Sequence, residues 1–154
     1  MKLIVYGPRE AGTGELASLR RRPGWRVRFV SPVAVPDSAD FREAVLLHDR
    51  AAASGRWRRL ADAGFDAFIG FGAASACLAG VFPSSCLRII VIESWTSTSA
   101  SDASVAAFHR RVEIDLLRTV DHVLAAPPLA PALREAGLNN CRVNDMRSLE
   151  TVLR

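Results

Sequence analysis

Lysine is almost missing from this sequence: Lys2 is the one lysine among twenty Lys and Arg residues. Arginine in its place, beside abundant alanine, reads as the codon usage of a GC-rich genome. The net charge of +4 therefore does not by itself point to nucleic acid, and no specific nucleic-acid partner is expected. Cysteine is scarce too. Cys77, Cys86 and Cys141 form an odd set with no Cys-x-x-Cys pair, which argues against a disulfide framework or a zinc site and for free buried thiols in a reducing compartment. No apolar run is long enough to span a bilayer, and "KLIVYG" is too short for a signal-peptide core and lacks a small-residue cleavage site. The expectation is a cytoplasmic protein. Internal repeats and low-complexity linkers are also absent.

What is present suits one domain. A chain of 154 residues, 49% hydrophobic and 23% charged, can bury a core without disulfides or metal. "KLIVYG" reads as a buried parallel strand ending in glycine. "GELASLRRR" follows as a helix with Leu16 and Leu19 inward, stopped by Pro23-Gly24. "RVRFV" is a second strand near an edge. "DSADFREAVLLHDRAAASGRWRRLADAGF" is mostly helical, capped by Asp37 or Ser38, with Val45, Leu46 and Leu60 on its apolar faces and Gly55 dividing it. "DAFIGFG" and "LRIIVIES" are further strands, separated by the short helix "AASACLAGVF". "SDASVAAFHRRVEIDLLRTV" is an amphipathic helix capped by Ser101 or Asp102, with Val105, Phe108, Val112 and Leu116 as its buried stripe. "DHVLAAPP" is a fifth strand, "LAPALREAGL" a helix, "CRVND" a last short strand and "MRSLETVL" a terminal helix. This alternation predicts an α/β fold of one domain over residues 1–154: a doubly wound parallel sheet, Rossmann-like, with helices on both faces.

Such a sheet binds ligands outside the carboxyl ends of its strands. That confines the candidates to the loops 7–14, 31–36, 70–74, 93–101 and 126–131. The first loop, "GPREAGTG", has the glycine spacing of a P-loop, but Thr13 stands where lysine must meet the phosphates and Gly14 where a hydroxyl must meet magnesium. The dinucleotide fingerprint G-x-G-x-x-G is unmatched as well, and the first strand lacks the acidic pair of a receiver domain. A glycine-flanked loop feeding a helix can still offer N–H groups to an anion, or can simply turn. Glu93 could serve as a general base or could equally cap or pair. His109 reads as a surface or packing residue, His48 and His122 have no suitable sequence neighbours, and no metal site is expected.

"GTGELASLRRRPGWRVRFVSP" resembles the opening of the two-domain glycosyltransferases of GT-B fold, with a glycine loop, an L-x-x-L helix, a glycine turn and a strand ending in Ser-Pro. "RRLADAGFDAFIGFGAASACLAGVF" is similar to that family's helix, aspartate-led strand, strand-end glycine and alanine-rich helix. "FHRRVEIDLLRTVDHVLAAPPLAPALREAGL" resembles its R-x-E-x-x-L-L-x-x-A-D helix and the elements that follow. The likeness runs over residues 1–145. It implies an acceptor-binding, amino-terminal Rossmann-like domain whose partner is a donor-binding domain or subunit. The co-substrate would be a nucleotide sugar, with no tightly bound cofactor, and the acceptor a sugar or lipid-linked molecule. By position, Gly12, Thr13, Gly14, Gly72 and Ser94 would line the acceptor and diphosphate cleft, with Glu93 as the catalytic residue. Glu93 and Ser94 depart from the family's usual His-Asp pair, and the acidic donor motif of a second domain is missing. A non-catalytic binding or assembly module, or a small nucleotide-binding enzyme, is the alternative. The basic clusters Arg20, Arg21, Arg22 and Arg56, Arg58, Arg59, with Trp57 as interfacial anchor, read either as solvated faces or as peripheral contacts to the inner face of a membrane.

Overall fold

Alternate residues of a strand point to opposite faces of its sheet, and here both sets are buried. The structure, a computed structural model, describes residues 1–7, 15–95 and 102–154. Its strands are β1 (Lys2–Tyr6), β2 (Arg26–Val30), β3 (Ala67–Phe71), β4 (Leu87–Ile92), β5 (His122–Ala125) and β6 (Cys141–Val143). They form one sheet in the order β2-β1-β3-β4-β5-β6, every neighbouring pair parallel. Leu3, Val5, Ala67, Ile69, Ile89, Val91 and Leu124 pack on one face. Ile4, Tyr6, Phe68, Ile90, Ile92, Val123 and Ala125 pack on the other. The fold is a doubly wound, Rossmann-like α/β domain. β2 is an edge strand, as its alternating arginines predict.

The two faces are covered unequally. The helices α1 (Phe41–Ala52), α2 (Gly55–Asp62), α3 (Ala76–Ala79), α4 (Ala103–Leu117) and α5 (Ala130–Glu135) all bury residues in the Tyr6 face. The Leu3 face is covered by Leu19 from a 3₁₀ segment (Glu15–Arg21) and by Leu149 and Leu153 from α6 (Met146–Val152) and its end. Arg22 and Glu150 form an ion pair that joins these two covering elements. The stretch read as an α-helix at "GELASLRRR" is thus 3₁₀, with Leu19 buried and Leu16 partly so. Three residues per turn bring those two leucines onto one side.

Aspartates organise the amino-terminal edge. Lys2 N–H donates to Asp66 Oδ2 (2.6 Å) and Asp66 N–H to the Lys2 carbonyl (2.8 Å). Asp121 repeats the device two pairs along: it accepts from Arg88 N–H (2.8 Å) and takes the guanidinium in a two-pronged pair at 3.1 and 3.0 Å. The side-chain hydrogen bond from Arg88 holds the Asp121 carboxyl below its usual range. Aspartates also start helices. Asp40, rather than Asp37 or Ser38, caps α1 by accepting from Glu43 N–H (2.8 Å). Asp102 caps α4 as expected, and Asp145 caps α6. Gly55 does divide the long helical stretch into α1 and α2.

Two expectations fail on side-chain direction. Trp57 is only 3% exposed, packed edge-on to Tyr6 (5.5 Å between centroids), Phe68 and Phe82 (both 6.5 Å), so it cannot anchor the chain at a membrane. Arg56, Arg58 and Arg59 around it stay exposed. Their helix and the segment bearing Arg20, Arg21 and Arg22 cover opposite faces of the sheet. On α4 the buried line is His109, Glu113 and Leu117. Val105 and Phe108, expected inside, are 42% and 60% exposed. Leu46 of α1 is likewise exposed. The α4 line that meets the Ala73–Ser75 turn and Phe41 is the one bearing His109, about one residue around the helix from the line expected. Among the described residues no helix is long and apolar enough to cross a membrane.

These burials make a contrasting pair of variants. Trp57→Ala should lose about 3–5 kcal/mol of stability, whereas Phe108→Ser should stay within about 0.5 kcal/mol of the parent. Urea unfolding midpoints of both proteins would check this.

Candidate functional site

The chain leaves β1 toward β2 under one face and returns from β2 to β3 over the other. The carboxyl ends of β1 and β3 are therefore neighbours where the strand order reverses, the position at which a doubly wound sheet carries its crevice. Gly7 stands at its edge. A Cβ built on Gly7 would lie 2.6 Å from Cδ2 of Phe71, so the aromatic ring occupies the space any side chain would need. Gly70 is equally confined, since a Cβ there would meet Ser75 Oγ at 2.5 Å and Phe68 Cε1 at 2.8 Å.

Gly72 follows β3 with φ +78° and ψ 149°, a conformation almost reserved for glycine. Its N–H donates to the Val91 carbonyl (2.9 Å), and its own carbonyl accepts from Ser75 Oγ (2.6 Å) and Ser75 N–H (3.1 Å). Both backbone polar groups are thus engaged in the protein's own turn. What Gly72 contributes is open space: a Cβ would find no atom of the described residues within 4 Å. Ser75 is fully buried and secures that turn.

Glu93 and Ser94 leave the end of β4 and are exposed. The parallel register sets Phe71 opposite Val91 and Ile92 opposite Ala125, so Gly72 and Glu93 share one stretch of the carboxyl edge. Among the described residues Glu93 has no hydrogen-bond or ion-pair partner. Next to it, Trp95 lies under the Arg110 guanidinium of α4, 5.0 Å from the ring centroid. Gly12, Thr13 and Gly14 lie outside the described residues. The structure thus places Gly7, Gly72 and Glu93-Ser94 at the carboxyl ends of the three adjacent strands β1, β3 and β4. Among the described residues no group of His, Cys, Asp and Glu side chains is placed to hold a metal ion.

Tyr6 and His48 carry a polar connection that the sequence does not suggest. Tyr6 Oη accepts from Val33 N–H (2.8 Å) and lies 2.8 Å from His48 Nε2, while His48 Nδ1 is 2.7 Å from the Ala44 carbonyl. A carbonyl only accepts, so Nδ1 carries the imidazole proton; Nε2 is then the acceptor and the Tyr6 hydroxyl its donor. Every group in this string is satisfied with His48 neutral. Burial pushes the His48 pKa down and the Tyr6 pKa up. Tyr6 is the one tyrosine of the chain and His48 lies 42 residues away, so no local motif betrays the pair.

The remaining buried polar groups lie on the same face of the sheet. His109 sits beside Phe41 (5.7 Å between ring centroids), a packing role, and Glu113 one turn along is 1% exposed. Burial, with the Asp49 carboxylate nearby, raises the Cys77 pKa to about 12, so the thiol is no nucleophile at neutral pH. Cys86, pushed up to about 11 by burial first, is equally inert. All three cysteines are free. His122, at the opposite end of the sheet, has a buried Nδ1 without a partner among the described residues, and burial lowers its pKa.

Two outcomes follow for the site. Gly72→Ala should destabilise the domain by about 1–3 kcal/mol, read from urea midpoints. His48 and His122 both have folded pKa values below 6.5. The unfolded chain then binds more protons than the folded one below that pH, so stability should be full above about pH 6.5 and fall as the pH drops toward 5. His48→Gln should flatten part of that slope in unfolding curves at pH 7.5, 6.5 and 5.5.

No family model, curated protein or solved structure matches this chain.

Proposed function

We propose that this domain is the acceptor-binding half of a glycosyltransferase, working with a second, donor-binding domain or subunit that presents a nucleotide sugar. The observation that supports this reading is that Gly72 and Glu93, the latter without a partner among the described residues, share the carboxyl edge next to Gly7, where the strand order reverses between β1 and β3. The edge offers a carboxylate, the Ser94 hydroxyl and space above Gly72, which suits a sugar or lipid-linked acceptor bearing a hydroxyl. In the reaction Glu93 would take the proton of that hydroxyl as its oxygen bonds to the anomeric carbon. The bond from that carbon to the diphosphate breaks, and the nucleoside diphosphate leaves with the electron pair. The domain's contribution would be chiefly orientation of the acceptor.

In this reading the exposed arginines Arg20, Arg21, Arg56, Arg58 and Arg59 would draw the domain to the anionic inner face of a membrane by charge alone, since Trp57 is buried. A second reading, a non-catalytic binding or assembly module, is favoured by the outward apolar residues Val105 and Phe108 of α4.

The isolated chain should turn over no nucleotide sugar from a donor panel. In the complete two-part enzyme, Glu93→Gln should lower kcat by about 10²–10⁴-fold with little change in acceptor KM. An unchanged kcat would remove Glu93 from the chemistry. Acceptor binding that survives Gly12→Val and Gly14→Val unaltered would favour the assembly module.

A further inference from the structure

The loop that leaves β2, residues 31–36, borders the carboxyl edge beside β1 and is tied to the body through the Val33 amide and the Tyr6 hydroxyl. That hydroxyl sits between two partners with opposite demands. Val33 N–H can only donate to it, and neutral His48 Nε2 can only accept from it. The arrangement works in one direction and with one imidazole tautomer. We propose that Val33, Tyr6 and His48 form a protonation latch on this loop, closed while His48 is neutral and released when it takes a proton from solvent.

Protonation reverses one bond and leaves no repair. His48 Nδ1–H keeps the Ala44 carbonyl, so the added proton must sit on Nε2 and point at the Tyr6 oxygen. That oxygen then faces two donors, the imidazolium and the Val33 amide, while the tyrosine proton has lost its acceptor. Tyr6 is buried, with Trp57 and Phe68 packed on its ring, so neither aromatic neighbour can take the stranded proton as a hydrogen-bond acceptor of ordinary strength. The weaker attachment is the neutral amide of an irregular loop, and it gives way before the charged donor.

The groups that bear on the imidazole are few. Tyr6 reaches it from β1, and the Ala44 carbonyl comes from its own helix. Asp49, also on α1, favours the charged form, but burial outweighs it and holds His48 neutral near pH 7. The Cys77 thiol of α3, near Asp49, stays protonated. From α2 the contact is Trp57 on Tyr6, which does not titrate. Of the groups touching the imidazole, neither the Ala44 carbonyl nor the Tyr6 hydroxyl, whose pKa burial raises, takes up a proton in mild acid, so His48 is the group in this string that acid changes.

The test reads the loop directly and does not depend on the reaction proposed above. In ¹⁵N-labelled protein, His48 should show the Nδ1–H tautomer at pH 7.5. The Val33 amide protection factor, corrected for intrinsic exchange, should fall about tenfold more than that of the β1 amides between pH 7.5 and 5, the worth of one net hydrogen bond. Tyr6→Phe should lose the Val33 protection at both pH values. His48→Gln, which keeps an acceptor but cannot titrate, should make it independent of pH. An Nε2–H tautomer, or Val33 protection that follows the β1 amides through the titration, would overturn the latch. The wild-type titration decides this by itself if either variant fails to fold.

Discussion

β1 lies between β2 and β3 with both of its faces covered, so Leu3, Ile4, Val5 and Tyr6 have no access to water. Most of the rest of the structure answers to that burial. Four consecutive apolar side chains alternate between two cores, and each core needs its own cover. The chain supplies five helices to one and only a 3₁₀ segment and a short terminal helix to the other. Because the connections from β1 and from β3 run to opposite sides, the place of deepest burial is also where the strand order reverses. The crevice is thus the mouth of a fully buried part of the sheet, a good foundation for orienting a ligand.

The same burial imposes a polar condition. A tyrosine at the end of a fully covered strand must have its hydroxyl paired, because an orphaned hydroxyl in such a place is expensive. Tyr6 meets that condition with one backbone donor and one imidazole acceptor, and so links β1 to the loop after β2 and to α1. Satisfaction of a core residue and positioning of a loop at the edge are here the same set of hydrogen bonds. This also explains why His48 is inward on a helix that otherwise presents apolar residues there.

Glycine does different work at the two exits. At Gly7 the constraint is space, because the Phe71 ring fills the position of a Cβ. At Gly72 the constraint is conformation, with open space beside it and a positive φ. The carboxyl edge thus has a filled side and an open side. Glu93 stands toward the open one, exposed and without a partner among the described residues.

Much of the fold was legible in the residues themselves. The β-branched and apolar runs, the Pro and Gly stops, and the alternation of arginine with apolar residues in β2 are local signals, and they sufficed for six strands, their parallel class and the edge position of β2. Helix faces were legible only in part. Hydrophobic periodicity places Val105 and Phe108 inside α4, but which line of a helix turns inward is decided by what it packs against, here Phe41 and the Ala73–Ser75 turn. Trp57 amid arginines reads as an interfacial anchor or part of a solvated face, and only the aromatic cluster from β1, β3 and the segment after α3 puts it in the core. The loops at the strand ends could be named from the fold class; the meeting of Gly72 and Glu93 needed the strand register. Tyr6 and His48, far apart in the chain, could be joined only by the packing of α1 on the sheet. Local chemistry determined the elements, and long-range packing decided which side chains face one another, because direction and contact are properties of the assembled layers.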